Sequence, residues 1–147
     1  HGGWPPPISR SAVAFRFVYP VRIYHVIDGD SVRVWLDTGF YCRYETNARM
    51  LGVDAPEKRT KAGQLVSSVV ENWLESRSDS LMFESVRPDK FAGRWGGYLY
   101  AFDSPQATLS TFLVNSGLAV DYAGGKRHDW SDEMLDTIES KCRELLR

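Results

Sequence analysis

Carboxylates, guanidinium groups and glycines gather in three short stretches of this chain. The first is Asp28-Gly29-Asp30-Ser31. Asp-Gly between two alternating segments is an ordinary hairpin signal. Two carboxylates so close at a turn also offer hard oxygen ligands for Ca²⁺ or Mg²⁺, although the further ligands and terminal Glu of an EF-hand are missing. The second stretch runs from Arg49 to Glu57, where Arg49, Asp54 and Glu57 leave an otherwise apolar segment around Pro56. Its bland reading is an ion-paired strand end followed by a helix-start loop. Lys58, Arg59 and Lys61 follow at once, a run that fits either a solvated loop or the guidance of a phosphate backbone. The third is Asp89-Lys90-Phe91-Ala92-Gly93-Arg94-Trp95-Gly96-Gly97. Its glycines permit a bend or a close backbone approach, and Arg94 supplies a second guanidinium.

The rest of the composition limits how these groups could act. Across 147 residues, 18 Lys and Arg face 19 Asp and Glu, for a formal net charge of −1. A broad positive field for holding nucleic acid is therefore excluded, and any anion must be gripped by a few charges placed together. With 43% hydrophobic residues the chain can form one real core, which excludes intrinsic disorder. Cys42 and Cys142 show no C-x-x-C spacing, which removes zinc and thioredoxin-type chemistry. They read as free thiols in apolar faces, with a single disulfide left open. Arg16, Arg22 and Asp28 interrupt the longest apolar stretches, so no membrane span is expected.

These clusters must be positioned by regular elements. Residues 1–14 read as an extended leader around Trp4-Pro5-Pro6-Pro7, and His1-Gly2-Gly3 as a tag scar or processed end. Residues 15–147 read as one domain. Phe15 to His25 is strand-like, and Ser31 to Leu36 alternates Val32, Val34 and Leu36 with polar or outward positions. A third strand is expected from Phe40 to about Leu51. Apolar residues from Leu65 to Leu74 then recur at three- and four-residue steps, predicting a helix over Gln64 to about Arg77. Strands are expected at Leu81–Val86 and Tyr98–Phe102, around a loop containing Pro88, Gly93, Gly96 and Gly97. Ser104-Pro105 predicts the start of a second helix over Ala107–Ser116, stopped by Gly117. Ser131 predicts the cap of a third, with Met134, Ile138, Cys142 and Leu145 as its apolar stripe. The sum is a mainly β fold with α: a five-stranded Greek-key barrel of OB type, carrying three helices, the first between the third and fourth strands.

The ordered set Asp-Gly-Asp-Ser, Arg-x4-Asp-x-Pro-Glu and Asp-Lys-Phe-x-Gly-Arg resembles the staphylococcal (thermonuclease) nuclease family, over roughly Val21 to Leu146. The resemblance implies an OB-type barrel that hydrolyses DNA and RNA with one Ca²⁺ and leaves 3′-phosphate products. By residue, it implies that Asp30, Asp54 and the backbone carbonyl of Ala55 bind the metal, and that Arg49 and Arg94 are the catalytic arginines. Glu57 matches the general base, and Asp28 a supporting acid. Ala55 stands where the family usually has threonine, which keeps the carbonyl and tunes the site. Ala92 is an extra residue before the Gly-Arg pair. Phe91 replaces a frequent tyrosine, and Tyr122 is shifted by one position from another. Lys90, Phe91, Tyr122 and the run Lys58, Arg59 and Lys61 are the candidate substrate contacts.

Such residues suit the chemistry. Planar, permanently charged guanidinium groups match the charge that accumulates on a phosphodiester's equatorial oxygens. Without metal, Asp30, Asp54 and Glu57 outnumber Arg49 and Arg94 by three charges to two, so the empty site should repel phosphate. Few protein oxygens are offered, so calcium is expected to bind weakly, at roughly 10⁻⁴–10⁻³ M. Glu57→Ala and Arg49→Ala are expected to fold normally and to lose about 10²–10³ in rate. The competing expectation is a catalytically silent OB-type module that binds nucleic acid or protein, using Trp35, Phe91, Trp95 and Tyr98 as surfaces. A monomer is expected, and the sequence does not indicate a compartment.

Overall fold

The computed structural model describes residues 15–90 and 93–147. The leader expected at 1–14, together with Phe91 and Ala92, lies outside the described residues. Strands β1 (Phe17–Asp28), β2 (Ser31–Gly39) and β3 (Cys42–Met50) form the expected meander. Asp28 pairs with Ser31, which leaves Gly29-Asp30 as a two-residue connection. The alternation read in β2 holds, since Val32, Val34 and Leu36 are all buried. After β3 come the short β4 (Val53–Asp54), helix α1 (Lys61–Glu75), β5 (Leu81–Pro88) and β6 (Arg94–Ala101). Helix α2 (Leu109–Asn115), the short β7 (Val120–Asp121) and helix α3 (Asp132–Leu145) complete the order.

Five strands close into a barrel in the order β1-β2-β3-β6-β5. β5 returns to β1 through Phe17↔Ser85 to Pro20↔Met82, and β3 meets β6 in parallel. Closure removes the sheet edges. The fold is thus the mainly β, OB-type barrel with three helices, and α1 lies between its third and fourth strands. Phe83, Leu99 and Met50 are fully buried in the core. α1 covers it with Val66, Val70, Trp73 and Leu74, and α3 adds Ile138 and Cys142. Among the described residues, no helix is long and apolar enough to cross a membrane.

Several boundaries differ from expectation for identifiable reasons. α1 starts at Lys61 because the Thr60 side chain accepts from the Gly63 N–H. Ser104-Pro105 forms turns, with the Ser104 N–H donating to Ala101 and the Ala107 N–H to Ser104. The helix begins only after Thr108, whose hydroxyl caps Thr111 at 3.1 Å. That start places Leu109 and Leu113 in the core with no exposure. Gly96 and Gly97 are not loop residues but lie inside β6. A Cβ on Gly97 would overlap the Glu84 carbonyl oxygen and the Phe83 ring, and one on Gly96 would press on Leu51. Two-residue strands such as β4 and β7, which pair as a separate ribbon, carry no readable period. In α3, Leu145 is exposed while Leu135, and Leu146 just beyond the helix, pack against the core. Both cysteines are free; Cys142 is buried but Cys42 is exposed, not in an apolar face. Burial pushes the Cys142 thiol up to about 11, so it stays protonated and inert at neutral pH.

Gly97→Ala is expected to lower stability by about 1–3 kcal/mol, because a backbone carbonyl and a core ring would have to move. Chemical denaturation measures this, and an unchanged midpoint would show that β5 and β6 are not packed as described.

Candidate functional site

The site starts at the β1–β2 turn. A Cβ on Gly29 would strike Val66 of α1, so the turn packs directly under the helix and carries Asp30 inside with it. Asp30 is 0% exposed. Its backbone carbonyl accepts from Met50 N at 2.8 Å, and its Oδ2 accepts from Ala55 N at 2.9 Å. Pairing of β4 with β7 places Asp54 opposite Val120, also at 0% exposure. The chain then passes through Ala55 and Pro56 to Glu57. Thr60 donates to the Glu57 carbonyl through both its N–H (3.0 Å) and its hydroxyl (2.7 Å). Gly63 lies so close to that carbonyl that a Cβ would overlap it. Asp28 accepts from Lys58 N at 2.7 Å, and Lys58 Nζ donates to Val26 O at 3.1 Å. Asp28 therefore ties the Glu57 turn to the hairpin.

Two guanidinium groups meet these carboxylates. Arg49, opposite Ser31 on β3, is 6% exposed. Its Nη1 lies 3.1 Å from Asp30 Oδ2, and its Nη2 lies 3.7 Å from Asp54 Oδ1. Its Cζ sits 5.7 Å from the ring centroid of Tyr122. The second is Arg127. Its Nη2 donates to Asp54 Oδ1 at 2.5 Å, to the Ala55 carbonyl at 3.2 Å and to Asp30 Oδ2 at 3.4 Å. Its Nε also reaches Asp54 Oδ1, at 2.9 Å. Beside it, His128 N donates to Asp54 Oδ2 at 2.7 Å. Burial pushes the Asp30 carboxyl above its ordinary value, against the opposing charges of Arg49 and Arg127 and the Ala55 N–H. For Arg127, burial works against the charged form. The hydrogen bond to Asp54 and the charges of Asp30, Asp54 and Glu57 outweigh it, so its pKa is raised.

Sequence reasoning missed Arg127. A stretch reading Gly124-Gly125-Lys126-Arg127 has the composition of a solvated loop, and its partners lie about seventy positions upstream. The expected tally of local charge changes with it. Arg94, at the start of β6, is placed with Asp89 through contacts of 2.8 and 2.6 Å, and Arg127 takes the second positive place beside the carboxylates. Glu57 keeps 43% of its side chain exposed, and its Oε2 accepts from Arg59 at 2.7 Å. Arg127 Nη1 lies 3.9 Å from its Oε1. A pocket of about 450 Å³ opens here, lined by Glu57, Arg59, Arg127 and His128. Another of about 170 Å³ is lined by Arg49, Asp89, Lys90 and Tyr122. Tyr122 is thus brought to the site, with its hydroxyl donating to Gly125 O at 2.6 Å. Lys90 Nζ reaches the same carbonyl at 3.4 Å. Lys61 is exposed on the first turn of α1.

One nitrogen in contact with three oxygens marks a point where Asp30, Asp54 and the Ala55 carbonyl converge. Hard oxygens of this kind suit a calcium-like cation completed by water. Among the described residues no group of three or more His, Cys, Asp or Glu gathers to hold a metal, so the protein's share would be two carboxylates and a carbonyl. Fold and site together define an OB-type barrel with a buried carboxylate–guanidinium centre. No known family model matches the chain, and no curated protein matches it.

The geometry also revises what Arg49→Ala should do. Its loss would strip a charge partner from two fully buried carboxylates. The expected cost is about 3–5 kcal/mol, whereas Glu57→Ala, at a half-exposed position, should stay within about 0.5 kcal/mol of wild type. Urea unfolding distinguishes them. Equal midpoints for the two variants would contradict the buried network.

Proposed function

We propose that the chain is a calcium-dependent phosphodiesterase that hydrolyses DNA or RNA. The supporting observation is the convergence of Asp30 Oδ2, Asp54 Oδ1 and Ala55 O on one cationic nitrogen, with Arg49 and the half-exposed Glu57 alongside. Asp30, Asp54 and the Ala55 carbonyl would hold the ion. When bound, it supplies positive charge at a phosphate oxygen and polarises a nearby water.

The remaining work falls to the chain. Glu57, open to a cavity, takes the proton of the attacking water. Arg49 lines the neighbouring pocket and meets the phosphate with a planar donor. Arg94, paired with Asp89, which lines that pocket, would be the second guanidinium on the phosphate. Attack in line breaks the bond to O5′, which takes up a proton from solvent water, leaving a 3′-phosphate and a 5′-hydroxyl. Lys58, Arg59, Lys61 and Lys90 guide the strand, and Tyr122 offers a ring face. Asp28 acts by holding the turn that carries Glu57.

Separate incubations of single-stranded DNA, duplex DNA and RNA with Ca²⁺, Mg²⁺ or chelator test this reading. Cleavage is expected with calcium and not with chelator, with 3′-phosphate ends, and a loss of about 10²–10⁴ in rate for Glu57→Gln. Binding without cleavage under every condition would replace the enzyme by a silent nucleic-acid-binding barrel.

A further inference from the structure

On the reading of Asp30, Asp54 and Ala55 as cation ligands, we propose that Arg127 is a resident cation which a divalent ion must displace, so that residues 122–130 form a plug in the metal site. Arg127 Nη2 contacts all three ligand groups, at 2.5, 3.2 and 3.4 Å. An ion bonded to the same oxygens at about 2.3–2.6 Å would overlap that nitrogen. The two occupants are mutually exclusive.

The plug is built to stay and built to leave. Two buried carboxylates facing Arg49 alone would be left with an uncompensated charge, which is costly in a low-dielectric interior. Arg127 neutralises it without any metal. The segment between β7 and α3 carries no helix or strand, and it turns on Gly124 (φ 101°) and Gly125 (φ 84°). Its docking rests on Asp54, through the Arg127 side chain and the His128 N–H, on Lys90 Nζ at the Gly125 carbonyl, and on Trp130 against the core. Docking also buries His128 Nε2 with no partner among the described residues, a deficit that water would relieve on release. Both ends remain tethered, by Tyr122 N on Gly52 O and by the Ser131 cap of α3. Apparent metal affinity is then reduced by the fraction of molecules in which the plug is docked.

Two measurements test this on the whole chain. Calorimetric titration with calcium should show Arg127→Gln binding on the order of tenfold tighter than wild type. Cleavage after Lys126 by a lysine-specific protease, identified by fragment mass, should accelerate in wild type on adding calcium. In Arg127→Gln it should be fast with or without the ion. Equal affinities would overturn the proposal, and so would binding of no calcium by either protein. Tighter binding by the variant with calcium-insensitive cleavage of wild type would also overturn it, because Arg127 would then act only through its field. The wild-type proteolysis decides the matter even if the variant does not fold. Neither readout involves nucleic acid. Calcium binding in this pattern without hydrolysis would therefore sink the phosphodiesterase and keep the plug, and calcium-dependent hydrolysis with equal affinities would do the reverse.

Discussion

Two carboxylates with no solvent exposure need cations, and the arrangement of this site follows from that need. Asp30 and Asp54 have lost the water that would stabilise their charge, and a lone buried carboxylate is among the costliest groups a fold can carry. The chain answers with two guanidinium groups and with backbone donors: Ala55 N on Asp30 and His128 N on Asp54. These partners come from distant segments. The β1–β2 hairpin, the turn after β4 and the segment after β7 meet at one place, and the β4–β7 ribbon holds two of them in register. Such networks are weak evidence for stability, since a well-packed apolar core would often do as well. Here the network lies in a barrel that already has a full apolar core.

How much of this was legible depended on the range over which each residue acts. The β2 alternation and the α1 stripe are local, periodic consequences of burial, and both were readable. Gly96 and Gly97 were not, because glycine signals a turn and a close backbone approach in the same way. Only the neighbouring strand, with the Glu84 carbonyl and the Phe83 ring in the way of a Cβ, decides between them. Ser104 and Thr108 both had cap chemistry. The burial of Leu109 and Leu113, a tertiary fact, selected the second. In the site, Arg49, Asp54 and Glu57 stand out as charged groups at the end of an apolar segment, whereas Asp28 and Asp30 read alone as a turn and are singled out only by the ordered set of motifs. Arg127 does not stand out, because its partners are far away in sequence and its own neighbourhood is what any exposed loop looks like. The pairing of Arg94 with Asp89 is hidden at short range: the two are five positions apart, but a strand beginning at Tyr98 leaves Arg94 in a loop, whereas β6 begins at Arg94 itself.

A cation supplied by the chain differs from one drawn from solution in ways that bear on how a near-neutral protein could engage a polyanion. Asp30, Asp54, Arg49 and Arg127 sum to zero charge, and Glu57 beside Arg127 leaves the docked arrangement one negative charge toward a phosphate. Exchange of Arg127 for a divalent ion would take the same centre from zero to +1, with Arg49 unchanged. The local charge seen by an approaching phosphodiester, with Glu57 included, would then be set by occupancy at one point and not by the overall charge of −1. Long-range attraction would be small at all times, because solvent ions screen charges separated by more than about 10 Å. What changes is the field inside the site, where little water intervenes and a single unit of charge counts for most. Stability would be secured without metal by Arg127, and phosphate recognition would appear only with it. Those two demands conflict in a site whose carboxylates have no cation of their own.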